Sequence, residues 1–269
     1  MGYNIVMVEI VAEIGINHNG NLDTAKDMIR AAKDCGADTC KFQAFSSYYS
    51  HDGNSELHKT LVATGLIPDR LEQLKRYCEK RNIGFLCSAF DRVSIDWLVA
   101  LGEKRIKIPS SRNTIPEYLG YVRSKKFEEV IIAVGACTQN NVVDLWNSFG
   151  GKRTIVECVS AYPCDPSKFV VRGPHWYQID GISDHSLSWE AGVICAVKQF
   201  RYYEKHFTLD KNAKGPDHQA SLNPKEFSQM VEEIRNVEQI LRNAEKVILP
   251  EEQSIVIRKR NHNVDQYKD

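Results

Sequence analysis

Nothing in this chain reads as a membrane span. No apolar run approaches the roughly 18–20 residues needed to cross a bilayer, and the longest near the start, residues 5–12, is broken by Glu9. That stretch also lacks a basic flank, so neither a signal peptide nor an anchor is expected. Charge of one sign is missing too: 35 basic residues balance 35 acidic ones for a formal net charge of zero. A balanced chain has no long-range field for nucleic acid or an acidic membrane. The expected partner is therefore a small molecule held by local charge, and the expected compartment is the cytoplasm. The eight cysteines show no pair spacing, which argues against a zinc site or a disulfide framework. Several lie inside apolar runs, where a free thiol packs as a small hydrophobe. A glycine-rich phosphate turn is absent as well. The stretch after the first β-like run reads Gly15-Ile16-Asn17-His18-Asn19-Gly20 rather than G-x-G-x-x-G, which counts against a doubly wound open sheet.

What is present is an alternation. Runs rich in apolar or β-branched residues occur at 7–16, 39–44, 84–88, 105–109, 129–134, 154–159, 176–182 and 202–208. Between and after them, residues 22–35, 69–80, 94–101, 115–124, 140–148, 188–198 and 224–242 carry apolar residues at helical spacing. Pro68 or Asp69 opens one helix and Asn223-Pro224 the last. Strands alternating with helices imply a parallel sheet with right-handed crossovers. Eight such units in about 250 residues predict a single-domain α/β (β/α)8 TIM barrel. The barrel is expected over residues 1–248, with a polar, extended or disordered tail over 249–269. The long connection 46–67, without strong periodicity, follows the second strand and would overhang the mouth.

In such a barrel the polar residues at strand ends face one shared site. Lys41 and Gln43 are two apart and so share a face. Lys41 and Lys107 sit in otherwise apolar strands, where an unpartnered ammonium is costly. Glu13 could neutralise one of them; an anionic ligand could neutralise both. With serines nearby, a phosphate or carboxylate fits. His185 and His206 end neighbouring strands, close enough to share one divalent ion; the alternative is that each merely donates a hydrogen bond. His51, His58, His175 and His262 fall in connections or the tail and are expected at the surface.

Longer motifs then become recognisable. Residues 11–20 (VAEIGINHNG), Lys41-Phe42-Gln43, Lys107-Ile108-Pro109-Ser110, Ser160-Ala161-Tyr162-Pro163, residues 181–186 (GISDHS), residues 204–210 (EKHFTLD) and Gly215-Pro216-Asp217-His218 follow one another in order. The chain resembles the N-acetylneuraminate (sialic acid) synthase family from about residue 8 to about residue 245. The resemblance implies a barrel that condenses phosphoenolpyruvate with an N-acetylmannosamine-like aldose, giving a nonulosonic acid and phosphate. It implies that Lys41 and Lys107 bind phosphoenolpyruvate, helped by Ser88, Ser110, Ser160 and Ser183. His185 and His206 would hold manganese, with magnesium or cobalt as alternatives. Gln43, Phe90, Tyr162 and Asp217 would face the sugar, and Glu13 would accept a proton or orient water.

Three features depart from the family pattern. Arg112 stands where the family places an acid, two positions after the fourth-strand serine; its guanidinium could bind a substrate phosphate. The fifth strand ends Ala133-Val134-Gly135 rather than S-T-G, so two hydroxyls are missing. Family members commonly carry a further C-terminal domain, whose arginine reaches a partner's site in the dimer. The expected partners therefore include a second copy of the chain or a protein supplying that domain. These departures keep a rival reading in view, that of a catalytically weak or inactive barrel which binds sugar or phosphoenolpyruvate or needs a partner subunit. A metal-dependent aldolase or isomerase is a third, since a fold does not fix a chemistry.

Overall fold

The computed structural model describes residues 5–46, 60, 63–171, 179–242, 250–252 and 255. Eight parallel strands close on themselves in sequence order: β1 (Glu9–Gly15), β2 (Thr39–Ala44), β3 (Gly84–Ala89), β4 (Arg105–Ile108), β5 (Glu129–Ala133), β6 (Arg153–Cys158), β7 (Gly181–Asp184) and β8 (Tyr202–His206). β8 pairs with β1 to complete the ring, with Glu13 beside His206 on one side and Lys41 on the other. The predicted (β/α)8 barrel is the observed one.

Alternation along the strands explains both layers of the core. In β1, Ile10, Ala12 and Ile14 point outward under the helices, while Glu9, Val11 and Glu13 point inward. Val11, Leu86, Ile131, Val156 and Tyr202 fill the middle of the interior from five strands. The outer layer is larger. α1 (Leu22–Asp34) contributes Ala25, Met28, Ile29 and Ala32, and α2 (Pro68–Lys80) contributes Leu71, Leu74 and Cys78. α3 (Arg92–Ala100), α4 (Pro116–Arg123), α5 (Gln139–Phe149), α6 (Glu190–Lys198) and α7 (Pro224–Leu241) complete the described helices. The expected caps are in place: Pro68 begins α2, and Asn223 caps α7 by accepting from the Glu226 amide. All eight cysteines are free thiols.

The seventh strand departs from its expected bounds. It starts at Gly181 rather than at residue 176, and 172–178 lie outside the described residues. Register decides this, not composition. Gly181 lies opposite Tyr202, and a Cβ at 181 would fall 2.1 Å from the Tyr202 carbonyl oxygen. Just before it, the Asp180 carboxylate accepts from the Ile155 amide at 2.8 Å. Among the described residues of the β6–β7 crossover only a 3-10 turn, Pro166–Lys168, is helical. His51, His58, His175, His262 and most of the 46–67 connection fall outside the described residues. In the tail, Pro250–Glu252 form a 3-10 turn and the rest, apart from residue 255, is likewise outside.

Candidate active site

The inward positions at the C-terminal ends of the strands converge on a cavity of about 260 Å³. Of the residues named from sequence, Glu13, Lys41, Gln43, Ser88, Phe90, Lys107, Ser110, Ser160, Tyr162, Ser183, His185 and His206 line it. Asp217 stands beside it, with Oδ2 3.9 Å from His206 Nδ1. Arg112, half-buried on the turn after β4, is not among the described residues that line it.

Two ammonium groups and two carboxylates form the floor. Lys41 Nζ lies 2.7 Å from Glu13 Oε2 and 3.4 Å from Glu204 Oε1, and it donates to Ser88 Oγ at 3.0 Å. Lys107 Nζ donates to Glu204 Oε1 and, at 2.9 Å, to Ser183 Oγ. Glu204 also accepts from Ser183 Oγ at 2.8 Å and from the Tyr202 hydroxyl. Both lysines are therefore neutralised within the protein, and the cost argument does not by itself demand an anionic ligand. Glu204, the partner of both, stands among the strand-end residues expected at the shared site, but the sequence left its role open. Two-residue periodicity could have found it, since Glu204 shares the inward face with His206.

The electrostatics distinguish the two lysines. Burial pulls the Lys41 ammonium down, but Glu13 and Glu204 more than offset it, and its pKa ends above the ordinary lysine value. At Lys107 burial wins over Glu204, with Lys41 adding repulsion, so its pKa ends below that value. Burial opposes ionisation of Glu204 as well, yet the two lysines hold its carboxyl far below the usual range. Lys41 is thus the firmer cation of the two.

The histidines line the same cavity. Their ring centroids are 5.5 Å apart, and the Tyr162 ring lies 4.0 Å from that of His185. His185 Nδ1 is 2.8 Å from the Val159 carbonyl oxygen, which can only accept. The proton is therefore on Nδ1 and the lone pair on Nε2. Burial, reinforced by His206, lowers the His185 pKa to about 3, so the ring is neutral at ordinary pH. His206 Nδ1 is buried without a hydrogen-bond partner. A neutral imidazole with a fixed tautomer beside an orphaned ring nitrogen is a donor set that fits a divalent ion. Among the described residues no group of three or more His, Cys, Asp or Glu is arranged to hold a metal. Two protein donors leave positions open for substrate oxygens and water, unlike a closed structural site.

The remaining candidates are distributed around this core. Gln43 Nε2 donates to Glu13 Oε1 at 2.9 Å, which fixes that carboxylate from a second side. Ser160 Oγ donates to Ser110 Oγ at 2.8 Å across the cavity mouth. Phe90 meets Phe45 edge-on at 6.1 Å. Ala133 lines the cavity without a hydroxyl, and a Cβ at Gly135 would fall 2.3 Å from Ser160 Oγ, so the glycine permits that close approach.

Comparison with known proteins gives consistent matches. A family model described as the NeuB family matches residues 28–246. N,N'-diacetyllegionaminic acid synthase of Legionella pneumophila is 34% identical over 264 residues, covering 88% of this chain and 74% of that protein. N-acetylneuraminate-9-phosphate synthase of Homo sapiens is 32% identical over 265 residues, covering 90% of this chain and 73% of that protein. Among solved structures, an N-acetylneuraminic acid synthetase from Leptospira borgpetersenii, in complex with citrate, aligns with a TM-score of 0.82 at 27% identity. That alignment covers 94% of this chain and 92% of that one.

Proposed function

The chain belongs to the NeuB family, and from that premise we propose that it condenses phosphoenolpyruvate with an N-acetylmannosamine-like aldose to a nonulosonic acid, releasing phosphate. The observation that carries the reading is the interleaving of Lys41 and Lys107 with Glu13 and Glu204, in one cavity with two imidazoles.

In the proposed reaction C3 of phosphoenolpyruvate forms a bond to the aldehyde carbon, and the aldehyde oxygen takes up a proton to become a hydroxyl. Water adds at C2 and gives one proton to a base; the C2–O bond to the phosphate then breaks with its electron pair leaving on phosphate, which takes the second water proton as C2 becomes a ketone. Lys41 and Lys107 hold the carboxylate and phosphate of the substrate in line, with Ser88, Ser110, Ser160 and Ser183 as hydroxyl donors. Glu13, held by Gln43 and Lys41, orients the water or accepts its proton. Gln43, Phe90, Tyr162 and Asp217 meet the sugar, and Arg112, on the turn after β4, takes its far end. A divalent ion on His185 and His206, manganese first with magnesium or cobalt as alternatives, would act as a Lewis acid on the aldehyde oxygen. The weak-barrel reading draws on Ala133, which lines the cavity without a hydroxyl, but the complete lysine, carboxylate and histidine set favours the synthase.

The test is phosphate release from phosphoenolpyruvate with manganese across N-acetylmannosamine, its 6-phosphate, mannose and amino-deoxy hexoses, with the nine-carbon product followed by mass spectrometry. Release should depend on sugar and disappear with chelator and in His206→Ala. Full turnover in Glu13→Gln would remove Glu13 from its role. A preference for the 6-phosphate that vanishes in Arg112→Glu would assign that arginine. No release with any acceptor, despite binding of manganese and phosphoenolpyruvate, would leave the weak-barrel reading standing.

A further inference from the structure

Immediately outside the histidine pair lies a second charged pair that the reaction does not use. Asp184 precedes His185, Lys205 precedes His206, and Asp184 and Lys205 are register partners in β7 and β8. Alternation turns His206 inward and Lys205 outward, where Lys205 and Asp184 are both buried beneath the helical layer. Lys205 Nζ is held by three close acceptors, Asp184 Oδ2 at 3.1 Å, the Ser186 carbonyl at 2.6 Å and the Ser188 carbonyl at 2.6 Å, with Ser186 Oγ farther off at 3.3 Å. Asp184 accepts from the Ser186 amide at 2.7 Å and from the Tyr203 hydroxyl at 2.7 Å. Every one of these contacts with residues 184–188 holds the segment that carries His185.

A fully buried ion pair is a poor way to gain stability, since apolar groups of the same shape serve as well or better. What an ammonium with three fixed acceptors does supply is geometry. We propose that the outward Asp184–Lys205 pair is the positioning device for the inward His185–His206 pair, locking the ends of β7 and β8 so that both imidazoles meet one divalent ion. This rests on the metal reading given above. Residues of this kind, which act on metal ligands through their backbone or hydrogen bonds, typically change metal affinity by about 10- to 100-fold.

The test is a manganese titration followed by electron paramagnetic resonance of the free ion, on wild type, Lys205→Met and the double variant Asp184→Asn/Lys205→Met. Thermal midpoints and metal-free phosphoenolpyruvate affinity are measured alongside. The double variant removes both charges together and so leaves no unpaired buried ion. It should fold and bind phosphoenolpyruvate as wild type does, yet hold manganese about 10-fold or more weakly. A merely structural pair would instead lower the thermal midpoint and leave metal affinity alone. A folded double variant with wild-type manganese affinity overturns the proposal, and so does one that cannot fold, since the pair would then serve the whole barrel. Wild type that binds no manganese would overturn the metal reading itself, which separates that failure from failure of the positioning role.

Discussion

The two ends of the barrel interior both carry charge, half-buried at one end and buried at the other, and they use it differently. At the N-terminal end, Arg105 grips Glu9 with both Nη atoms at 2.8 and 2.6 Å and Glu129 with Nε at 2.7 Å. Thr39 donates to Glu9 at 2.6 Å, Thr154 donates to Glu129, and Arg201 reaches Thr154 Oγ1 at 2.7 Å. A planar guanidinium fork saturates two carboxylates and closes the floor. At the C-terminal end the cations are lysines, compact charges on flexible stems. They share Glu204 between them, sit against serine hydroxyls and border a cavity. The lower network satisfies only itself, whereas the upper one keeps donors that can turn to a ligand. That contrast follows the division of barrel folds into a stability end and a chemistry end.

The sharpest way to break the comparison is at Lys107. Lys107→Met should lower turnover by about 10²–10³-fold, the usual consequence of losing one electrostatic donor at reacting charge. Glu204 would retain Lys41 3.4 Å away, so the thermal midpoint should move far less than activity does. Initial phosphate-release rates beside a melting curve check both. Equal losses in the two would mean that the upper network is as structural as the lower. The converse variant is Arg105→Met, which strands Glu9 and Glu129 together. Fully buried pairs broken this way cost about 3–5 kcal/mol; with the Arg105 side chain 27% exposed, about 2 kcal/mol is expected. A urea midpoint should fall accordingly while KM for phosphoenolpyruvate stays put. A raised KM would show that the lower network reaches the site.

The same contrast explains what could be read before any coordinates. The barrel was legible because hydrophobic periodicity is local and repeats eight times. Lys41 with Gln43, and His185 with His206, were legible because each lies at a strand end with a known facing. Glu204 obeyed the same rule and stood among the strand-end residues, but its role went unassigned, since in the run Glu204-Lys205-His206 it reads as one member of a motif rather than as one face of a strand. Separating 204 and 206 from 205 would have exposed both the lysine anchor and the outward pair. Arg112 and Asp217 sit on turns, where no period says which way a side chain faces. The β7 boundary escaped because Gly181 is placed by its contact with Tyr202, a partner distant in sequence.

A half-buried carboxylate without a cation sharpens the comparison with the smallest effect. Glu157 lies on the outer face of β6, and its Oε1 accepts from the Val170 amide at 3.2 Å. Among the described residues no lysine or arginine pairs with it, in contrast to Glu9, Glu13 and Glu204. Burial raises its pKa from 4.5 to about 7, only partly opposed by the Val170 amide. A raised carboxyl favours the protonated form in the folded state. It therefore imposes no penalty below pH 4.5, a growing one between pH 4.5 and 7, and its full penalty above pH 7. Glu157→Gln keeps the neutral shape at every pH. It should leave the melting temperature unchanged near pH 4.5 and raise it by about 2–4 °C at pH 8, corresponding to about 1 kcal/mol after allowing for partial exposure. Equal gains at both pH values would mean that Glu157 is solvated like a surface acid, and that a half-buried carboxylate in this barrel needs no cation to be tolerated.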